Sequence, residues 1–485
     1  MKKREYWGLL LLLGLAFGVR VVSLDAQGLW RDEVDALNFA TAPWAEMVAR
    51  FTQPGWNGPL YFLLLRGWIA LTGRTAFAMR YLSLLWGVLG VALSYPLGKR
   101  LVGRRAACWA TLLASYSPYL VWYAQEIKMY TWVPALVLLA LYALERACER
   151  PRWGWWLLVL ITTSCAFYSH ILAALLIPIE VLWFLLRPRR HRRAWRGGLL
   201  TLGLLTAPYL PLLRWQLPLI FQTRQTGYPA HSLSEMAAAL ASGWSAGIAA
   251  QGQPLLAWIY SGLALLGLGW LLLSRREQRR QWRYGLLLTG WLTLPLLVIW
   301  DISLRAPLFT DRYLIWTAPA YYFLIGAGLT FLSQRKVQVA ILLALTLVSA
   351  ASVNLYHQAY DPIKPQFREA AAYLHQKRGP EELLLFQIPY NQITLAYYLP
   401  APMSPWTEAP YTNWRTPEGE YQITPEVAGE RTFAALDGHK QVWLVYSESS
   451  LWDERELVKA WLDAHAHLLT VQEFHGVNLY RYQLD

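Results

Sequence analysis

Charge is scarce in this 485-residue chain: only 15% of residues are Asp, Glu, Lys or Arg, against about a quarter in soluble domains. That scarcity excludes both a disordered chain and a wholly water-soluble one. Cysteine is scarcer still. Cys108, Cys148 and Cys165 fall in or beside apolar runs without metal-ligand spacing, which excludes a disulfide framework and a zinc site. No internal repeat and no Gly-rich nucleotide fingerprint is found. The formal charge of +13 arrives in short basic blocks between apolar segments rather than along one face, so no nucleic-acid partner is expected.

What the chain has instead is hydrophobic length. Hydrophobic residues make up 55%, with 27 Trp, 28 Tyr and a mean hydropathy of +0.24. The opening MKKR followed by YWGLLLLLGLAFGVRVVSL has a basic start and an apolar run but no small-residue cleavage site, so it reads as a first transmembrane helix rather than a signal peptide. Further bilayer-length segments are expected near 76–97, 106–122, 129–145, 153–169, 171–187, 197–213, 254–273, 284–300, 314–333 and 337–356, eleven spans in all. Alternate loops collect 23 of the 34 Lys and Arg in residues 1–356. By the positive-inside rule the N-terminus is cytoplasmic, and an odd number of spans puts the C-terminus outside.

On that topology nine of the 14 acids in residues 1–356 face outward. Glu180 alone falls within an expected span, where a structural partner is the plainer reading than a substrate or proton role. The first outer segment, 25–75, has helical apolar spacing that suits helices in the interface plane. It carries Asp32 and Glu33 just past the first span. Asp32 reads equally as a cap for the helix that follows. A second outer turn, SPYLVWYAQEIKMYTW, sets Glu126 and Lys128 among aromatics, where they could simply neutralise each other. A third, FYSHILAA, places His170 near a hairpin tip, a position more often structural than ligating. A fifth, DISLRAPLFTDRYLIWTAPA, adds Arg305, Asp311 and Arg312. The loop at 215–253 is long enough to cover a cavity, with His231 read as exposed loop.

At RDE, PYLVWYAQEIKMY, FYSHILAALL and DRYLIWTAP the order and spacing resemble the membrane-embedded GT-C glycosyltransferases. The similarity is to the glycosyltransferase family 39 group, related to protein O-mannosyltransferases and to the lipid A aminoarabinose transferase. It covers roughly residues 1–356. The resemblance implies transfer of a sugar from a polyprenyl-phosphate donor to an acceptor hydroxyl of a lipid, glycan or protein, at the outer face and with inversion. By the family pattern Asp32 is the base and Glu33 supports it or contacts the acceptor. Lys128 and Arg312 meet the lipid phosphate, while Glu126, Tyr130, His170 and Tyr313 line the cavity. Two departures stand out. The usual His-Pro-Pro-Leu of the first outer loop reads Asn57, Gly58, Pro59, Leu60 here, and the usual Arg of the second turn is Lys128, which keeps the charge but loses the bidentate fork. No obligatory metal is evident; some relatives bind divalent cations, and Glu126 with His170 is the first pair to inspect.

Elementary chemistry agrees with that scheme. A phosphate leaves as a stable anion, so one carboxylate suffices to take the acceptor proton, and cations balance the departing charge. Adjacent helical residues point about 100° apart, so only one of Asp32 and Glu33 is expected to face the reacting atom.

From residue 357 the composition inverts, to 17 acids and 10 Lys plus Arg against a net of +20 in 1–356. This predicts a polytopic α-helical membrane domain over 1–356 and a small extracytoplasmic α/β domain over 357–485. PQFREAAAYLHQKRG and SSLWDERELVKAWLDAH read as helices, the second with Asp453 in its first turn. ELLLF, QVWLVYS and FHGVNLYRYQ read as strands, and Asp437-Gly438 as a turn. Rival readings are a lipid-linked glycan polymerase or ligase, which would typically rest on Arg and His rather than an early Asp-Glu pair, a polyprenyl-lipid flippase or transporter, and a non-catalytic scaffold built on the tail.

Overall fold

The structure, a computed structural model, describes residues 3–51, 57–186, 194–205, 218, 221, 226, 228–248, 254–273, 281–357, 363–399, 403–416 and 419–484. The basic blocks at 187–193 and 274–280, most of 206–227 and the end of the span expected at 197–213 lie outside the described residues. The chain divides into two compact units. One comprises residues 1–24 and 39–357, the other residues 25–38 and 358–485. Residues 25–38 therefore group with the C-terminal residues.

The first unit is helical. Helices 76–101, 254–273, 282–303, 311–331 and 335–353 are long and apolar enough to cross a membrane, and shorter apolar helices occupy 6–21, 60–72, 153–167 and 171–186. The span expected at 106–122 is not one helix. It divides into α6 (Arg104–Tyr116) and α7 (Pro118–Ala124), because Pro118 lacks an N–H and holds Ser117 in an extended conformation (φ −56°, ψ 119°). The break leaves carbonyls at the end of α6 without helical donors. Arg20, fully buried on α1 (Lys3–Val21), reaches across to Ser115 O at 2.8 Å and Ala114 O at 3.3 Å. Ser117 Oγ accepts the Leu120 N–H at 3.2 Å, restarting the chain as α7.

Helix α8 runs Trp132–Glu149, four residues beyond the expected span end. Glu145, where the expected span ends, is buried and accepts from Trp183 Nε1 at 3.0 Å and the Tyr284 hydroxyl at 3.2 Å. Glu180 takes a hydrogen bond from Thr163 Oγ1 at 2.6 Å, the structural partner that was the plainer expectation. Both carboxylates are thus accounted for by packing.

The second unit holds a five-stranded sheet. Its strands are β1 (Leu383–Phe386), β2 (Trp406–Glu408), β3 (Gln441–Tyr446), β4 (Ala466–Phe474) and β5 (Val477–Leu484), in the order β2-β1-β3-β5-β4. β1 is parallel to β2 and β3, and β5 is antiparallel to β3 and β4. Alternation along β1 buries both faces: Leu384 and Phe386 pack with the helix Phe367–Lys377, and Leu383 and Leu385 with the helix Leu457–His465. The sequence reading missed β2 and β4, short or half-exposed strands with little periodic signal. The last expected helix starts at Leu457, later than expected. Asp453 precedes it and caps it, accepting from the N–H groups of Leu457 and Val458 at 3.0 and 2.9 Å. Asp437 and Gly438 form the expected turn, with φ of 45° and 72°.

Candidate active site

In the first unit, the expected site residues hang on three connections. Gln125 Nε2 donates to Arg20 O and Val22 O, both at 3.0 Å, and so ties the turn after α7 to the end of α1. Glu126, next to it, is buried, as is Tyr130; Lys128 between them is half-buried. Tyr119 and Tyr123 stand four residues apart on α7, ring centroids 4.8 Å apart, and Tyr123 lies 5.1 Å from Tyr130. Asp311 and Tyr119 lie on either side of Gly243, which brings the segment that begins at Asp311 to the tyrosines of α7.

Asp311 opens the 3₁₀ segment Asp311–Thr317, which carries Arg312 and Tyr313. Thr310 Oγ1 donates to Asp311 Oδ1 at 3.3 Å. Its carboxylate and Tyr119 flank Gly243, whose ideal Cβ would lie 3.5 Å from Asp311 Oδ2 and 3.3 Å from Tyr119 Cε2. Tyr313 joins a second group. Its hydroxyl is 2.9 Å from that of Tyr228, and its ring is 5.3 Å from His170. His231, expected as exposed loop, is half-buried and packs on Phe309 at 5.8 Å.

His170 is buried, and its Nδ1 has no hydrogen-bond partner among the described residues. Burial pulls its pKa down from the ordinary imidazole value to about 4, so the ring is neutral near pH 7. The unfolded chain binds the proton more readily, so this residue's contribution is full above pH 6.5 and is lost as pH falls towards 4. Thermal unfolding from pH 7 to pH 4 is expected to show His170→Asn losing less stability than the wild type, by up to about 3 kcal/mol; equal acid sensitivity would contradict it.

Asn57 docks the first loop onto this hairpin. Its Oδ1 accepts the Ile171 N–H at 3.3 Å, and the Leu60 N–H donates to Tyr168 O at 3.1 Å. Gly58 is pressed so close that an ideal Cβ would stand 2.1 Å from the Tyr168 carbonyl oxygen. Backbone cannot swing aside as a side chain can. Gly58→Ala is therefore expected to destabilise by about 1–3 kcal/mol, read as a lower unfolding temperature; an unchanged temperature would mean the loop rests elsewhere.

Asp32 and Glu33 belong to the second unit. Helix α2 (Arg31–Thr41) starts one residue before Asp32, so Asp32 sits inside the first turn and is not its N-cap. Asp32 is half-buried. Glu33 is 0% exposed and pairs at 3.0 Å with Lys364, itself 5% exposed. Gln27 Oε1 secures the same stretch, accepting the N–H groups of Ile363 and Lys364 at 3.2 and 2.9 Å. Sequence reasoning could not find Lys364, which lies 331 positions away. Tyr119 and Tyr123 did carry a signal, their i, i+4 spacing. Among the described residues no three His, Cys, Asp or Glu side chains gather in a group that could hold a metal ion.

Residues 53–215 match the family model of dolichyl-phosphate-mannose-protein mannosyltransferases, a region that includes Asn57, Glu126, Lys128, Tyr130 and His170. No curated protein matches the chain in sequence. Among solved structures, ArnT from Cupriavidus metallidurans bound to undecaprenyl phosphate aligns at a TM-score of 0.61 and 16% identity, over 97% of this chain and 97% of that one. The chain has the GT-C fold. AglB, the archaeal oligosaccharyltransferase from Archaeoglobus fulgidus in complex with an inhibitory peptide and a dolichol-phosphate, shares this GT-C likeness at a TM-score of 0.55 and 11% identity, over 99% of this chain and 74% of that one. Arabinofuranosyltransferase AftD from Mycobacteria aligns at 0.50 and 15% identity, over 100% of this chain and 42% of that one.

Proposed function

We propose that this chain transfers a sugar from a polyprenyl-phosphate-linked donor to an acceptor hydroxyl at the outer face of the cell membrane, with inversion. The observation that carries the reading is the cluster of buried tyrosines, Tyr119, Tyr123 and Tyr130, with Glu126 in the same turn and Asp311 beside Tyr119 at Gly243, in a chain whose fold matches that of ArnT bound to undecaprenyl phosphate along nearly the whole length of both.

The acceptor oxygen attacks the anomeric carbon, and the bond from that carbon to the phosphate oxygen breaks on the opposite face. The bonding electrons leave with the phosphate. The acceptor proton passes to the Asp32 carboxylate, and Lys128 and Arg312 balance the charge that gathers on the departing phosphate. Glu33, occupied by Lys364, holds a positioning role. Tyr130, His170, Tyr313 and Asn57 shape the cavity, His170 as a neutral ring.

The test is transfer by purified protein in lipid with a panel of radiolabelled polyprenyl-phosphate sugars and membrane extract as acceptor. Arg312→Gln removes a charge-assisted hydrogen bond of about 1.5–3 kcal/mol, so donor KM is expected to rise about tenfold or more. An unchanged donor KM would remove Arg312 from the phosphate site. Absence of transfer with every donor would overturn the reading.

A further inference from the structure

The sheet of the second unit changes its winding direction at β1. The chain passes from β1 to β2 on one side and then to β3 on the other. In open α/β sheets, ligands sit outside the carboxyl ends of strands at such a switch point.

The residues at that point are polar and tightly interlocked. After β1 come Gln387 and Asn391; after β3 come Ser447 and Glu448, the latter at a left-handed φ of 49°. Asn391 Nδ2 donates to Ser447 Oγ at 2.6 Å and lies 3.5 Å from Glu448 Oε2. Gln387 Nε2 donates to Asp453 Oδ2 at 3.2 Å. Yet both amide oxygens, Gln387 Oε1 and Asn391 Oδ1, have no hydrogen-bond partner among the described residues, although the side chains are 0% and 1% exposed. A buried acceptor without a donor carries its full desolvation penalty. Two at one switch point call for donors that come from outside the chain.

Beside them runs an aromatic ladder. Tyr390 and Trp452 are 6.0 Å apart, Trp452 and Tyr411 4.8 Å, and Tyr411 and Trp414 5.2 Å. Its two ends, Tyr390 and Trp414, are 57% and 54% exposed. The loops that follow β1 and β3, QIPYN and SESS, contain no glycine and so no backbone cradle for a pyrophosphate. The cations at the rim are engaged, Arg31 with Glu448 at 3.2 Å and Arg415 with Glu454, and acids stand at the strand ends. An anionic ligand is disfavoured. What fits is a neutral molecule with hydroxyl donors for the amide oxygens and apolar ring faces for the aromatics.

We propose that the second unit binds a neutral glycan at the carboxyl ends of β1 and β3, with Gln387 and Asn391 accepting from its hydroxyls and the Tyr390–Trp414 ladder covering its faces. Arg31, which pairs with Glu448 at this edge, immediately precedes Asp32. The glycan is thereby held beside the first turn of α2, as an acceptor would be; that last assignment rests on the sugar-transfer reading, while the binding itself does not.

The experiment uses the full chain in lipid nanodiscs, with maltotriose, mannotriose and chitotriose as probes and saturation-transfer NMR plus titration as readout. At least one probe is expected to bind with a Kd of about 1 mM or tighter, weakened tenfold or more by Tyr390→Ala and Trp414→Ala and retained by Tyr390→Phe. No binding by the wild type, or binding indifferent to both alanine variants, overturns the site, as does capture of unglycosylated peptide in place of the sugars. Asp32→Asn separates the two readings, since it is expected to keep glycan binding while transfer stops. Ladder-dependent binding without transfer by the wild type would sink the transferase reading and leave the glycan site standing. Transfer without glycan binding would do the reverse.

Discussion

Asp32→Asn is expected to lower sugar transfer by about 100- to 10,000-fold, the range of a lost general base, with the unfolding temperature unchanged. Asn has the same shape and still accepts a hydrogen bond, but it cannot carry away the acceptor proton. The site tolerates the exchange structurally because Asp32 is half-buried and its helix is anchored by other atoms. Trp30 O accepts the N–H groups of Glu33 and Val34 at 2.9 and 3.0 Å, and Glu33 points into its pair with Lys364. Initial rates at saturating donor, with circular dichroism as the folding control, give the measurement. Transfer within threefold of wild type would take the base away from Asp32, and since Glu33 is sealed against Lys364, Glu126 would be the next carboxylate to replace.

The second large effect is on stability. Glu33→Gln and Lys364→Met each leave the opposite charge buried without its counter-ion, which costs about 3–5 kcal/mol, whereas replacing both members with apolar groups is often neutral. Either single variant is therefore expected to melt well below wild type in detergent, and Glu33→Met with Lys364→Met to recover most of the loss. Single variants that melt like the wild type would show that water reaches the pair. Lys364 acts through Glu33 and not on substrate, so in protein kept folded at low temperature its replacement is expected to change kcat more than donor KM.

Much of this was legible in the sequence, for reasons that also mark where legibility stops. Bilayer-length apolar runs announce most of the long helices, because lipid demands that backbone groups be satisfied within the segment. The break at Ser117–Pro118 was written in the sequence as a proline, but apolar residues on both sides hid it. The extension of α8 to Glu149 was hidden because Glu145 reads as the end of the span until Trp183 and Tyr284 are seen to satisfy it. Individual site positions such as Asn57 and His170 are marked by local motifs; the hydrogen bond that joins their loops, from the Ile171 N–H to Asn57 Oδ1 across 114 positions, is a product of folding that no local pattern encodes. The same holds for Lys364. In the C-terminal residues, β1 and β3 were clear as short continuous apolar runs, while three-residue β2 offered too few positions for any period to show.

The division of the chain has a consequence for the order of its own synthesis. Residues 25–38 leave the ribosome early, whereas the lysine that completes their buried pair is made 331 residues later. At ~5–20 residues per second, that delay is roughly 15 to 70 s. For that interval Glu33 must remain hydrated or borrow another partner, and the segment bearing Asp32 cannot take its final place until about two-thirds of the polypeptide has followed it. A nascent chain stalled within the transmembrane helices would hold its candidate base unassembled, so this segment matures only once Lys364 has been made.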